Sequence, residues 1–299
     1  MTRLVLNGPF DLTLESGTLP DLEADQVRVD TILSAISVGS ELSLYVGNVT
    51  PGAYPYPLGY QSVGRVAEVG EKVAGLAVGD RVASFYGHAG SAVVAANACL
   101  SVPANVSAPL ALLAILGEET MKGVRKLAPS ADDEVLIAGA GLLGLLTLFN
   151  LTRRGVLNVD MVEPDTHRRE LALHLGARRA YRPEEYRERR YALGFDCSAS
   201  PQGFAGLLTR LAHGGAACVL SDGNWGALTL PPDFHERELR VVGSSDGEDY
   251  ASYARWLWAH AEPELAAVFE DIVTPTDLPA TFERLRRWPR PVSVLVRWR

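Results

Sequence analysis

The stretch Gly139-Ala140-Gly141-Leu142-Leu143-Gly144 constrains what this chain can fold into more than any other. It follows the apolar run Glu134–Ala138 and opens the apolar run Leu142–Arg154. In that setting a GxGxxG pattern reads as the turn from a buried strand into a helix. Gly139 permits the tight turn, Gly141 lets the backbone come close to a pyrophosphate, and Gly144 lets the helix lie close on the strand. The free N–H groups at the helix start, around Leu142 and Leu143, are then left to hold an anion. A second strand, Asn158–Glu163, ends in a carboxylate 24 residues after Gly139. That is near the spacing of about 20 expected for the residue that bonds the adenosine ribose. A carboxylate there accepts from both ribose hydroxyls and repels a 2′-phosphate, which favours NAD over NADP.

The alternation continues, with a helix at Asp165–Leu175, strands at Phe195–Ser198, Ala216–Leu220 and Leu239–Val242, and a helix near Gln202–Leu211. Strands alternating with helices predict a doubly wound parallel sheet. Two helices, Ala108–Leu116 and Thr120–Lys126, lead into it. Ahead of them the texture differs. Short runs at Arg3–Leu6, Gln26–Ala35, Ser62–Val69, Arg81–Phe85 and Ala92–Ala95 are punctuated by Asn7-Gly8, Gly70, Gly79-Asp80 and Gly87. They predict a β-rich, partly open barrel. The C-terminal stretch returns to the first texture, with helices at Tyr250–His260 and Leu278–Trp288 and strands at Ile272–Pro275 and Val292–Val296. The fold class is therefore α/β, with one domain at 1–112 and 244–299 and a second at 113–243. The charge run Arg178–Arg190 reads as a solvated turn and helix face.

Composition removes other classes. Of 299 residues, 47% are hydrophobic, enough to build real cores, and the net charge of −8 argues against binding nucleic acid or an anionic membrane. The N-terminal residues show no basic stretch followed by a sustained apolar run, and Val135–Leu151 is too short and too glycine-rich to span a bilayer. Cys99, Cys197 and Cys218 are far apart in sequence and form no CxxC pair. A cytoplasmic setting is expected.

Several ordered stretches resemble the medium-chain dehydrogenase/reductase superfamily, which includes alcohol dehydrogenases and quinone reductases. Ser34–Glu41 (SAISVGSE) is similar to its "SGICGTD" element, Tyr56–Gly64 to "PxxxGHExxG", and Val69–Val82 to "VGxxVxxxxxGDRV". Phe195 to Ser200, Gly214-Gly215 and Glu238–Ser244 match later landmarks. The resemblance covers almost the whole length. It implies a GroES-like substrate domain, a Rossmann domain, an active site in the cleft between them, and a homodimer paired through Leu239–Ser244.

The chain departs from the zinc-containing members. Ser37 or Val38 stands where their first Cys does, Tyr60-Gln61 where their His-Glu does, and Leu116 near their third ligand. Glu118 and Glu119 lie close by, yet two carboxylates without a thiolate or imidazole make a weak zinc site. The lobe of four cysteines is absent. No metal is expected. A hydrogen-bond donor must then stabilise the charge on the substrate oxygen.

Ser40, Tyr60 and His88 are the catalytic candidates. Their structural alternatives are a turn hydroxyl, an aromatic wall and a surface histidine. By resemblance Thr120 lines the nicotinamide and Arg168 flanks the adenosine ribose; the alternatives are helix packing and a solvated arginine. Ser198 and Ser221, in turns after later strands, are expected to face the cofactor, as is the loop Ser221–Asn224. Tyr45, Tyr54, Tyr56, Tyr86 and Trp225 could wall an apolar pocket, core or surface being the alternative. The expected activity is hydride transfer between NAD and a carbonyl or secondary alcohol, with a small-molecule substrate and neither nucleic-acid nor membrane partners. A zinc-less branch that oxidises the hydroxyethyl group of bacteriochlorophyllides shares the "ISxGTE" pattern. The rival readings are a redox-inactive nucleotide-binding relative and a quinone or enone reductase.

Overall fold

The computed structural model describes residues 1–185, 190–221 and 226–299. The expected loop residues Asp222–Asn224 and the wall residue Trp225 lie outside them. The chain forms two compact units, Met1–Ile115 with Ala254–Arg299, and Leu116–Tyr253. The return to the first unit comes at Ala254, inside a helix, whereas the sequence reading placed it at 244.

The first unit opens with β1 (Thr2–Gly8), β2 (Asp11–Ser16), β3 (Gln26–Ile36), α1 (Ser40–Tyr45), β4 (Tyr56–Pro57), β5 (Ser62–Val69), β6 (Arg81–Ser84), β7 (Ser91–Ala95) and β8 (Leu100–Ser101). The sequence reading missed α1. Its six residues are too few to show a helical period, and the helix is set by tertiary packing of Leu42 and Tyr45.

Helix α2 (Ala108–Leu127) is continuous where a break was expected between Leu116 and Thr120. Gly117 is tolerated inside it because the Tyr253 ring occupies the space a side chain would need. The second unit continues with β9 (Val135–Ala138), α3 (Leu142–Thr152), β10 (Val159–Val162), α4 (Thr166–His174), β11 (Arg179–Tyr181), β12 (Tyr191–Asp196), α5 (Pro201–Leu208), β13 (Leu211–Val219), α6 (Asp233–Glu236) and β14 (Arg240–Gly243). All six strands pair in parallel, in the order β11-β10-β9-β12-β13-β14. The order reverses direction between β9 and β12, which opens the crevice where such sheets bind ligands. Local signals start the helices: the Asp165 side chain caps α4 and Ser200, followed by Pro201, caps α5.

The charge run Arg178–Arg190 is exposed at Arg179 and at 182–185, as expected of a solvated turn, but Arg178 and Arg190 turn inward. Buried Asp160 accepts from Arg178 Nε at 2.8 Å and from the Tyr191 hydroxyl at 2.7 Å, with Arg190 at 3.4 Å. Arg179–Tyr181 within the run forms the edge strand β11.

The chain closes with α7 (Tyr250–His260), β15 (Phe269–Val273), α8 (Leu278–Leu285) and β16 (Ser293–Arg297). In the first unit β16 pairs with β3, extending the larger sheet to β15-β16-β3-β5-β6-β8, with β7 also on β3. A smaller sheet, β2-β1-β4, completes this unit. Leu4, Leu6, Ile36, Leu42, Tyr45, Leu58, Phe282, Val294 and Val296 share one core. Tyr45, expected as a pocket wall, belongs to it, with its ring edge-on to Phe282 at 5.6 Å. Tyr86 is likewise buried, its hydroxyl 3.1 Å from Thr31. Among the described residues no helix is long and apolar enough to cross a membrane. Since Phe282 is wholly buried and links α8 to α1, Phe282→Ala is expected to cost about 3–5 kcal/mol in urea unfolding.

Candidate functional site

The glycine turn after β9 shows why each glycine is there. Gly139 has φ +94° and its α-carbon abuts the backbone of Cys197 and Ser198, 2.8 Å from where a Cβ would stand. A Cβ on Gly144 would collide with the Gly139 carbonyl oxygen. Gly141 differs: a Cβ there would meet only Arg168 Nη1, at 3.9 Å. It is the N-cap of α3 and no side chain caps that helix end. The helix therefore presents N–H groups to an open cradle with a guanidinium at its side, an arrangement suited to an anion. These residues fit the pyrophosphate of a dinucleotide.

Glu163 has another duty beside the one expected. Its Oε2 accepts from Ala140 N at 2.8 Å and its Oε1 from Asp165 N at 2.9 Å. The buried carboxylate thus ties the glycine turn to the start of α4. A carboxylate has about four acceptor positions, so each oxygen keeps capacity for a ribose hydroxyl. Arg168 is buried along α4 and reaches the glycine turn, so it is not a solvated arginine. Ser198 and Ser221 stand past the ends of β12 and β13. Ser198 Oγ donates to Asp196 Oδ1 at 2.6 Å, and Ser221 Oγ accepts from Ala199 N at 3.1 Å.

Thr120 does not have a hydroxyl free to line a cofactor. It is fully buried, donates to Gly117 O at 2.9 Å, and accepts from Asn150 Nδ2 at 2.9 Å. Tyr253 donates to the Asn150 carbonyl oxygen at 2.8 Å and completes this internal network. A mid-helix threonine bonds back to its own helix readily, which is why sequence position misled here. Glu118 is similarly committed. It pairs with Arg125 at 2.6 Å and accepts from the N–H groups of Glu248 and Asp249 just ahead of α7.

In the first unit, Ser40 and Tyr60 come together. Ser40 Oγ lies 3.4 Å from the Tyr60 hydroxyl and 3.2 Å from Ser37 Oγ. Both are half-buried, and together the three hydroxyls form a chain. His88 is a different case from the one expected. It is 1% exposed, so it is neither a surface residue nor an open proton donor. Its Nε2 lies 2.9 Å from Glu41 Oε2, and its Nδ1 2.8 Å from Ser34 Oγ. Glu41 Oε1 accepts from Ser37 N at 2.8 Å. Glu41 and His88 are 47 residues apart, and sequence reasoning did not join them. Gln61 is fully buried, and neither atom of its amide finds a partner among the described residues.

Residues 23–124 match the alcohol dehydrogenase GroES-like domain family. The L-threonine 3-dehydrogenase of Paraburkholderia xenovorans is 26% identical over 254 residues, covering 70% of this chain and 73% of that protein. The 2-desacetyl-2-hydroxyethyl bacteriochlorophyllide A dehydrogenase of Cereibacter sphaeroides is 28% identical over 275 residues, 83% of each. A solved E. coli alcohol dehydrogenase in complex with NADH has the same fold over 99% of both chains, with a TM-score of 0.84 at 20% identity. Residues 23–124 thus carry the GroES-like domain of alcohol dehydrogenases, and over most of its length the chain is similar to zinc-type dehydrogenases. Its α/β fold joins a GroES-like domain to a Rossmann-like parallel sheet.

At the positions that the sequence resemblance set against the metal ligands, Ser37 is buried with its hydroxyl beside Ser40, Val38 packs in the apolar core, Leu116 is buried, and Tyr60 offers a phenol. Among the described residues, no group of three or more His, Cys, Asp or Glu is placed to hold a metal ion. Of the thiols, Cys197 and Cys218 are buried and Cys99 is half-buried. Burial pushes Cys99 and Cys218 up to about 11, and Cys197 higher still.

Two outcomes follow. At pH 8 a thiol titrating near 11 is roughly one-thousandth thiolate, so buried Cys197 and Cys218 are expected to resist thiol-reactive disulfide reagents until the protein unfolds, while half-buried Cys99 reacts slowly. Gly144→Ala is expected to lower the melting temperature by several degrees because the backbone must shift, whereas Gly141→Ala, which meets open space, leaves it unchanged. Calorimetry separates the two.

Proposed function

We propose that this chain is an NAD(P)-dependent oxidoreductase, with NAD preferred, that moves hydride between the nicotinamide and a carbonyl or secondary alcohol without a catalytic zinc ion. The two tasks fall to different units. The glycine turn, the start of α3, Arg168 and Glu163 would hold the dinucleotide. Ser198 and Ser221, past the ends of β12 and β13, would line the same edge of the sheet. Ser40 and Tyr60 would hold the substrate oxygen.

The observation that carries this reading is the pair of hydroxyls, 3.4 Å apart, with Tyr60 at a position that the sequence resemblance sets against a metal ligand. Bound nicotinamide supplies or accepts the hydride. As hydride reaches a carbonyl carbon, negative charge grows on the oxygen. The Tyr60 O–H would meet that charge and give its proton to the oxygen, and Ser40, bonded to the phenol and to Ser37, would return a proton to it from solvent at its half-exposed side. In the oxidation direction the proton would run the other way, from the alcohol to the phenol oxygen and out through Ser40 to solvent. A phenol and a serine polarise a carbonyl less than a dipositive ion does, so they suit a substrate whose own conjugation spreads the charge. A bulky aromatic ketone or its secondary alcohol fits, and the similarity to an enzyme of a bacteriochlorophyllide hydroxyethyl group points the same way.

Glu163 supports NAD over NADP, since a buried carboxylate beside the ribose repels a 2′-phosphate. A homodimer is part of the reading: β14 is an outer strand of the parallel sheet, and edge pairing would cover it.

The test is a titration of the purified protein with NADH and NADPH by nicotinamide fluorescence, with metal analysis alongside. NADH is expected to bind more tightly than NADPH, with no stoichiometric zinc, and Gly141→Ala is expected to weaken NADH by at least about tenfold without loss of stability. Turnover is then sought on aryl ketones, the corresponding secondary alcohols and L-threonine. Stoichiometric zinc, or failure to bind either nucleotide, would sink the proposal. Tyr60→Phe is expected to lower kcat by about 10²–10⁴-fold while NADH affinity holds.

A further inference from the structure

Ser40 and Tyr60 reach each other from separate segments. Ser40 begins α1, and Tyr60 stands in the turn between β4 and β5. Hydroxyls 3.4 Å apart carry little force of their own to hold two segments in register. One side chain touches both. The imidazole of His88 lies against Gly59, the residue before Tyr60: a Cβ on Gly59 would sit 2.8 Å from His88 Cδ2. Gly59 has φ +93° and His88 N donates to Leu58 O at 2.8 Å, so backbone and ring grip the same turn. On the other side His88 Nε2 meets Glu41, the residue after Ser40. Glu41 also accepts from Ser37 N, closing the turn that presents both Ser37 and Ser40.

The hydrogen bonds fix the ring's tautomer. Trp298 Nε1 donates to Ser34 Oγ at 2.9 Å, so the Ser34 hydroxyl proton is left for its other neighbour, His88 Nδ1. With Nδ1 accepting, the ring proton sits on Nε2 and points at Glu41. A chain Trp298–Ser34–His88–Glu41 thus runs from the C-terminal end of the protein to the start of α1, with Ser34, His88 and Glu41 fully enclosed.

We propose that His88 is a positioning residue for the Ser40–Tyr60 pair, holding the two hydroxyls in register through Gly59 on one side and Glu41 on the other. The functional value of this rests on the reading of Ser40 and Tyr60 as the groups that hold the substrate oxygen; the geometric claim does not.

The full-length protein labelled with 3-fluorotyrosine gives a fluorine resonance for Tyr60, identified by its loss in Tyr60→Phe. His88→Gln is expected to shift or broaden that line while the lines of Tyr181 and Tyr253, in the other unit, stay in place. Should His88→Gln not fold, the near-isosteric Glu41→Gln takes its place. With an aryl ketone that the wild type reduces, His88→Gln is expected to lower kcat at least about tenfold with NADH affinity unchanged. In a Tyr60→Phe background it should cost less than about twofold, because the hydroxyl it positions is already gone. A Tyr60 line that stays put in a folded variant would overturn the proposal, as would losses in kcat that simply multiply. If the wild type reduces no ketone, the catalytic reading of the pair fails and the fluorine spectrum alone decides the positioning claim.

Discussion

The second unit depends on a place where the chain passes too close to itself for any side chain. At the turn after β9, the Gly144 α-carbon sits on the Gly139 carbonyl and Gly139 sits on the backbone beyond β12. These contacts seat α3 against the sheet and fix where its first turn points. Gly141, with open space beside it, gains nothing in packing from lacking a side chain. What it leaves is a clear cradle beside the helix start. The three glycines therefore separate into two that the packing requires and one that it does not. A buried carboxylate, Glu163, then ties this turn to α4. An unpaired charge in that position would be costly, and two backbone N–H groups compensate it.

The first unit solves a different problem. A metal ion would hold its ligands in place by coordination, each bond restoring the geometry. A phenol and a serine make one weak contact and leave the placement of both to the surroundings. The surroundings here are a glycine turn at positive φ, a histidine with both nitrogens occupied, and a glutamate that closes the start of α1. Such a network is useful only when every member is satisfied, since a half-paired polar group in the interior costs free energy. Ser34, His88 and Glu41 meet that condition. Gln61, next to Tyr60, does not, and its buried amide marks the least settled spot in the region.

What could be read in the sequence was what is local. The period-two strands β3 and β5, the βα alternation, the glycine turn and the helix α7 are written in consecutive residues, and hydrophobic periodicity finds them. The site residues fared unevenly because their environments are assembled from afar. Thr120 is near its expected place, yet Asn150 and Tyr253 absorb its hydroxyl. Arg178 reads as a solvated charge until Asp160 and Glu134 come to it through the sheet. Ser34 and Trp298 are separated by 264 positions, and no spacing rule relates them. A short helix such as α1 has no period to detect, so the element that carries Ser40 was invisible although Ser40 itself was singled out.

This contrast explains where a chain of this fold can change its chemistry. The glycine turn of the second unit is held mostly by backbone groups and glycine geometry, for which few substitutes exist. The hydroxyl cluster of the first unit is made of side chains, and side chains can be exchanged if their supports change with them. A phenol in place of an imidazole needs no metal charge to balance. An amide at Gln61 likewise avoids leaving an uncompensated carboxylate in the interior. The supports then have to come from elsewhere, and they do: Ser34 and Trp298 from strand and terminus, His88 from the loop between β6 and β7. From the Trp298 indole to the Ser37 backbone the hydrogen-bond chain is complete, each buried member held by the next, and a change at any one of them leaves a partner unpaired in the interior.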